Sequence, residues 1–211
     1  GELLNDFSKL PQEVAFAILP DLPNTEATAL LAKQTDHEVL IHVPMQADGG
    51  ANPGKRYIKA GMKPEEVRSL LTDFHQQIPK AIAANNHMGS AATADATVMT
   101  EVLSTIDKLD MFFVDSATTA KSSVPGVAAK LGQKTLKRDV FLDVPDVSDA
   151  TIISKIQGLA KYKGRNQPIV VITHCHNRAK LEALHKFITQ VTDMGIKLIP
   201  PSKAIRKVSV S

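Results

Sequence analysis

Short apolar runs alternate with longer stretches in which apolar residues recur every three or four positions. That is the pattern of strands alternating with amphipathic helices. Runs at 13–19, 37–43, 81–84, 111–114, 139–142, 168–173 and 196–199 predict seven strands. Ala27, Leu30 and Leu31, behind a capping Asn24 or Thr25, predict a first apolar helix face. Val67, Leu70, Leu71, Phe74 and Ile78, opened by Pro64 and closed by Pro79, predict a second. Val98, Met99, Val102, Leu103 and Ile106 predict a third. A short helix is expected over 124–131, ended by Gly132. Another follows Ser148 and carries Ile152, Ile153, Ile156, Leu159 and Ala160; the last carries Leu181, Leu184, Ile188 and Val191 and ends at Gly195. Residues 46–61, with four Gly and one Pro, read as a long loop of the kind used for lids or binding. Pro44 is expected to end the strand before it.

Strands separated by helices pair in parallel through right-handed crossovers. The expected fold class is therefore α/β, an irregular or incomplete (β/α) barrel of about seven parallel strands, with a doubly wound open sheet as the alternative. No internal repeat, linker or low-complexity segment divides the chain, so 1–211 reads as a single domain. Its first ten residues read as a helix, although parallel β/α proteins more often open on a strand, so an opening strand is expected to be missing.

Composition narrows the picture. At 43% hydrophobic residues the chain builds a sizeable core, and a net charge of +3 is small. Basic residues are scattered apart from mild clusters at 130–138 and near the C-terminus, and there is no Trp and only two Tyr. No nucleic-acid partner is expected. No stretch approaches the ~20 apolar residues of a membrane span, and no signal peptide is present. Cys175 is the only cysteine, so no intrachain disulfide can form.

Polar motifs sit just after the apolar runs: His-Val-Pro-Met at 42–45, Asn-Asn-His-Met-Gly-Ser at 85–90, Val-Asp-Ser-Ala-Thr-Thr at 114–119, Arg-Asp-Val-Phe-Leu-Asp at 138–143 and Thr-His-Cys-His at 173–176. In a β/α protein the loops after the strands gather at one end, where chemistry is usually done. His37 and His42 point to opposite faces of a regular strand, so only one faces a site, and His42 at the C-terminal end is the better placed. It reads either as a metal ligand or as a hydrogen-bonded strand-end histidine. Asn85–Ser90 predicts a tight turn carrying His87. Asp115 could bind a metal, orient a histidine, accept a sugar hydroxyl or cap a helix, and Thr118 and Thr119 can exchange hydrogen bonds. Asp143 lies at the site end of its strand, while Arg138 at the other end reads as a structural ion-pair partner. His174 suits proton transfer, since a free imidazole titrates near ~6.5, and could share a face with His176 if the strand continues. Cys175 would need a basic partner and a lowered pKa to act as a nucleophile.

These motifs resemble the divergent polysaccharide deacetylases, a bacterial branch of the superfamily that contains the carbohydrate esterase family 4 enzymes. The resemblance covers nearly the whole chain and rests on Ala15-Phe-Ala-Ile-Leu-Pro20, His37-Glu-Val-Leu-Ile-His-Val-Pro-Met45, Asn85-Asn-His-Met-Gly-Ser90, Asp115-Ser-Ala-Thr-Thr119, Arg138-Asp-Val-Phe-Leu-Asp143 and the strand ending at His174. It implies an irregular β/α barrel lacking here the family's first strand. It also implies a divalent metal, usually zinc, that activates water against an acetyl group. On this resemblance His42 is a metal ligand. The second ligand histidine expected four residues later is Gln46 here, and His87 stands in for it. His174 falls on the late-strand general acid. Asp143 or Asp115 would orient it, and Asn86, Ser90, Ser116 and Thr118 would contact substrate. The family's opening acidic motif, which supplies a ligand and the catalytic base, does not appear in this sequence.

The first functional reading is a metal-dependent deacetylase acting on an acetylated cell-envelope polysaccharide, in the periplasm or secreted. The second is a non-catalytic carbohydrate-binding or envelope-interaction protein on the same scaffold. A metal-dependent phosphoesterase comes last, because no Gly-rich phosphate loop or Arg cluster favours it.

Overall fold

The structure, a computed structural model, describes residues 3–209. After a short helix α1 (Leu4–Phe7), five strands line up in sequence order: β1 (Phe16–Ile18), β2 (Val39–Met45), β3 (Ala83–Met88), β4 (Phe112–Asp115) and β5 (Thr135–Lys137), each parallel to the next. Helices α2 (Thr25–Gln34), α3 (Pro64–Gln77), α4 (Ala96–Lys108) and α5 (Val124–Leu131) fill the crossovers. Two further strands, β6 (Val140–Phe141) and β7 (Val171–Ile172), pair in parallel around α6 (Asp149–Gln157). Helices α7 (Arg178–Asp193) and α8 (Pro201–Arg206) complete the fold.

The strand order never reverses, so there is no switch point and the doubly wound alternative is excluded. The arrangement is that of an irregular, open barrel. It breaks where the chain leaves the first sheet: Arg138 N–H still donates to Asp115 O on β4, whereas Asp139 and Val140 N–H donate to Val170 O.

Strand β2 shows why the site lies where it does. Six of its seven residues are buried, as expected for a parallel strand covered on both faces, and the seventh is His42. Val39, Ile41, Val43 and Met45 join the core beneath the helices. The alternate positions face inward. Leu40, Ala83, Val114 and Leu136 form one apolar inner layer, sealed by Ala204 of α8. Ser202 N–H and Oγ–H both donate to the Glu38 carboxylate and fix α8 at the N-terminal end of β2. Two residues further along each strand the inward positions are His42, Asn85, Ser116 and Arg138. The lumen therefore changes from apolar to polar at the C-terminal end.

The structure departs from the sequence expectations at several points. Pro44 does not end β2. It pairs with His87, and the missing donor costs nothing to the ladder at a position whose carbonyl accepts Ile58 N–H from the loop instead. Residues 196–199 form no strand, while β5, too polar to register as an apolar run, does. Leu30 is 56% exposed and Ile153 42%, so the buried stripes of α2 and α6 are narrower than their spacing suggested, with Ala32 as the buried apolar residue of α2. Asn85, Asn86 and His87 belong to β3, and the turn falls later, at Met88 (φ 55) and Gly89 (φ 95).

Gly89 is the one glycine here whose backbone and surroundings both exclude a side chain. An added Cβ would meet Met45 Cβ at 3.0 Å and Asn86 Cβ at 3.3 Å, in a left-handed conformation. Gly89→Ala is expected to cost about 2 kcal/mol or more in urea unfolding, whereas Gly126→Ala, in open helical space, should leave the midpoint within experimental error or raise it.

Candidate active site at the open end of the barrel

The centre is made by two neighbouring strands. His42 Nδ1 lies 3.0 Å from Asn85 Oδ1, and His42 Nε2 lies 3.1 Å from His87 Nδ1, with the rings edge to face at 4.8 Å. An amide oxygen only accepts, so His42 carries its proton on Nδ1 and turns the Nε2 lone pair toward His87. Asn85 is held in that orientation by its other end: Nδ2 donates to Ser116 Oγ (3.2 Å), which in turn donates to Asn86 O (2.8 Å). Ser116 N–H donates to Asn86 Oδ1 (2.8 Å), and Asn86 Nδ2 donates to Met88 O (2.7 Å). Among the described residues no buried side-chain nitrogen or oxygen lacks a partner. This network therefore has one consistent direction of donation, the condition for a rigid polar core.

Burial, then the charge of His87, drives the His42 pKa down to about 3 despite the Asn85 hydrogen bond. Burial and then the charge of His174 also lower His87. Both rings are therefore neutral near pH 7, the form that binds metals.

His174 follows β7. Its Nδ1 lies 2.9 Å from Asp143 Oδ2 and its backbone N–H donates to Oδ1 at 3.3 Å. Lys180 Nζ, from the first turn of α7, reaches the same Oδ2 at 2.5 Å. Burial pushes the Asp143 carboxyl up, but the hydrogen bonds from Lys180 and His174 outweigh it and hold it below the usual range. Asp143 thus stays ionised and orients the imidazole, leaving Nε2 free of any hydrogen bond among the described residues. His176 is 6.0 Å from His174 between ring centres, in a loop beyond the end of β7. Cys175 is solvent-exposed, yet partial desolvation among its neighbours and then the Asp143 charge push its thiol up, away from a nucleophile.

Other candidates sit in the frame of the site. Asp115 is 1% exposed and lies on the helix side of β4, opposite in pleat to Ser116. Its oxygens accept from Ala117 N–H and Ser122 Oγ–H, both at 2.7–2.8 Å, so it shapes the 115–122 loop and is not brought to the histidine pair. Asn86 is equally buried. Thr118 donates to Met88 O, and Ser90 Oγ accepts Asp48 N–H, tying the long loop to the end of β3. Gln46 is a pivot for that loop: its carbonyl takes Ala91 and Ala92 N–H, and its Oε1 takes Ala60 N–H. His37 is a structural residue with its ring nitrogens on Val14 O and Ser8 O.

Three features escaped the sequence. Arg138 forms no ion pair among the described residues; it donates to Ser116 O (2.6 Å) and Ala117 O (2.8 Å) and lies 4.8 Å over the Phe141 ring. The same ring is 5.1 Å from His174. Asn85 and Lys180 are the other two. A period-two reading from Leu136 would have pointed Arg138 inward, but nothing in the sequence pairs Lys180 with Asp143.

The sequence profile of the family described as divergent polysaccharide deacetylase matches residues 2–205. The chain belongs to that family. Among curated relatives it is 30% identical to the uncharacterized protein YibQ of Escherichia coli (strain K12), over 82% of this chain and 54% of that protein. It is 35% identical to an uncharacterized protein of Haemophilus influenzae, over 64% of this chain and 48% of that one. The chain thus spans about half the length of the curated relatives it matches. Among solved structures it is similar to the protein ATU2773 of Agrobacterium tumefaciens C58 (TM-score 0.82, 22% identity, 96% of this chain and 83% of that one). It is also similar to a mutant of BA3943, a CE4 family pseudoenzyme with restored enzymatic activity (TM-score 0.58, 15% identity, 97% of this chain and 62% of that one). At these identities the structures show a shared fold.

The low pKa of His42 has a measurable sign. The unfolded chain takes up a proton near ~6.5 and the folded one near about 3, so the stability that neutral His42 contributes is present above pH 6.5 and lost as pH falls from there toward 3. In metal-free protein, the His42 ring resonances in a proton–nitrogen NMR titration should stay fixed from pH 8 to pH 5. The urea midpoint should fall across that window, and fall less in His42→Gln.

Proposed function

We propose that this chain is the catalytic domain of a metal-dependent deacetylase acting on an acetylated cell-envelope polysaccharide. The observation that carries this reading is the His42–His87 pair. Two nitrogens bound to one zinc at ~2.05 Å and a tetrahedral angle lie about 3.3 Å apart. His42 Nε2 and His87 Nδ1 are 3.1 Å apart, with the lone pair of the first turned toward the second. The donor set therefore fits two ligands of a zinc site. Among the described residues no group of three His, Cys, Asp or Glu comes together, so a third protein ligand is not supplied by them. When bound, a divalent metal would lower the pKa of a water and polarise the acetyl carbonyl.

The residues of this chain would do the rest. Asn85 sets the tautomer of His42, as outer partners of metal-binding histidines usually do. His174, oriented by Asp143, presents Nε2 to protonate the leaving amine or alcohol. Thr118 and Ser90 stand at the rim, where hydroxyls of a sugar can reach them. No helix among the described residues is long and apolar enough to cross a membrane. An envelope substrate would place the protein in the periplasm or outside the cell.

One observation favours the second reading, a glycan-binding protein without turnover: the pair of histidines alone is half of a usual catalytic zinc site. Metal content and acetate release separate the two. We expect about one zinc per chain by plasma mass spectrometry, lost in His42→Ala and in His87→Ala. Acetate release from an acetylated glycan should stop on chelation and fall by a factor of about 10²–10⁴ in His174→Ala with zinc retained. Zinc retained in both histidine variants would overturn the ligand assignment; glycan binding without any acetate would establish the non-catalytic reading.

A further inference from the structure

One ring away from His174, β6 and α6 enclose a groove of about 430 Å³ that the reaction just outlined does not use. Its strand wall is Arg138, Phe141 and Val144; its helix wall includes Ser154, Lys155 and Lys161. Phe141 joins it to the site: the Arg138 guanidinium lies 4.8 Å over its ring, and the His174 ring is 5.1 Å from it. Three cations thus line one groove. The single carboxylate among them, Asp139, is already neutralised by Arg165 and accepts Val170 N–H as well. Lys155 and Lys161 form no ion pair among the described residues, and the Lys161 ammonium rests 4.8 Å over the Tyr162 ring. Arg138 uses Nε and Nη2 on backbone carbonyls, and its Nη1 makes no hydrogen bond among the described residues.

A groove of this volume takes about one sugar residue with its substituents. Arg138 feels the nearby Asp115 and Asp139 carboxylates, so the uncompensated charge is that of Lys155 and Lys161; cations in excess beside a reaction centre raise the local concentration of anions. The groove lies along the C-terminal half of α6, whose helix dipole disfavours negative charge, so a phosphate dianion is less suited to it than a single carboxylate. We propose that this groove holds the carboxylate of an acidic sugar residue next to the acetylated one, so that the substrate is a carboxylate-bearing glycan and not a neutral one. This rests on the reading of the protein as one that engages acetylated glycans.

Titration calorimetry on the intact 211-residue chain tests it with three tetrasaccharides: a neutral N-acetylglucosamine tetramer, one alternating N-acetylglucosamine with glucuronate, and one alternating it with N-acetylmuramate. At least one acidic tetramer should bind about fivefold tighter than the neutral one, the factor of a solvent-screened ion pair. The double variant Lys155→Gln/Lys161→Gln, at surface positions, should erase that preference while leaving neutral binding unchanged. Lys203→Gln/Lys207→Gln, which removes equal charge elsewhere, should preserve it. Which acidic tetramer is preferred tells a ring carboxylate from a lactyl one. Equal binding of acidic and neutral tetramers, or a preference lost equally in both double variants, overturns the carboxylate subsite and leaves the glycan reading standing. No binding of any tetramer overturns both.

Discussion

Parallel pairing of β2 with β3 sets Leu40 beside Ala83, His42 beside Asn85 and Pro44 beside His87, and the rest of the site is arranged around that register. Side chains alternate with a strict period of two, so a slip of one residue would send His42 into the helix-facing core and bring Ile41 or Val43 into the lumen. The apolar inner layer prevents that slip. Leu40, Ala83, Val114 and Leu136 are buried against one another and against α8, and only the observed register buries them together with Ile41, Val43 and Met45 on the other face. The hydrophobic effect therefore fixes the placement of the polar residues, although none of them contributes to it.

Above this layer the loops are tied down by side chains whose own chemistry is ordinary. Arg56 carries the long 46–61 loop. It forks onto Asp21 with Nε and Nη2, reaches Asp73 with Nη1 and lies over Phe74. Gln77 holds Asp21 from a third direction. Such a fork is geometrically selective in a way that a single ammonium contact is not. With Gln46 and Ser90 fixing the other end, the loop that borders the histidine pair is held at both ends by residues from β1–α2, α3 and the β3 turn. The 115–122 loop is held from beneath by Asp115 and from inside by Arg138. The site is consequently built from elements that do not depend on a ligand for their shape.

Much of this was legible in the sequence where physics acts locally. The helix faces of α3 and α4 and the limits of α5 follow from spacing, Pro and Gly, and the choice of His42 over His37 follows from strand parity. The chemistry-bearing ends of β2, β3 and β6 could be named because each follows an apolar run. The misreadings have a common cause: properties set by partners distant in the chain. Thr135–Lys137 forms a strand because β4 and α8 await it, not because it is apolar. Residues 196–199 are largely apolar but form no ladder with any strand among the described residues, and Ile199 packs against the inner layer instead. Asp115 and Ser116 look alike as site candidates, yet the pleat separates them: one shapes a loop and the other aligns Asn85. Arg138 was assigned to the remote end of β6, when in fact it follows β5, at the site end of a different strand.

The direction of hydrogen bonding decides what the histidine pair can do. Ser116 can give its proton to Asn86 O only while it accepts from Asn85 Nδ2, and that leaves Asn85 Oδ1 as an acceptor for His42 Nδ1–H. His42 then has one tautomer, with a lone pair on Nε2. His87 alone retains a choice. With its proton on Nδ1 it donates to His42 and the pair is a closed hydrogen bond; with its proton on Nε2 both lone pairs converge, and the pair can take a cation. The two states differ by the position of one proton on one half-buried ring. Burial and the charge of His174 disfavour the alternative of adding a second proton. The Asn85–Ser116 network thus fixes one histidine and leaves the other its choice of tautomer without a carboxylate in the cluster, while Gln46 serves the loop alone.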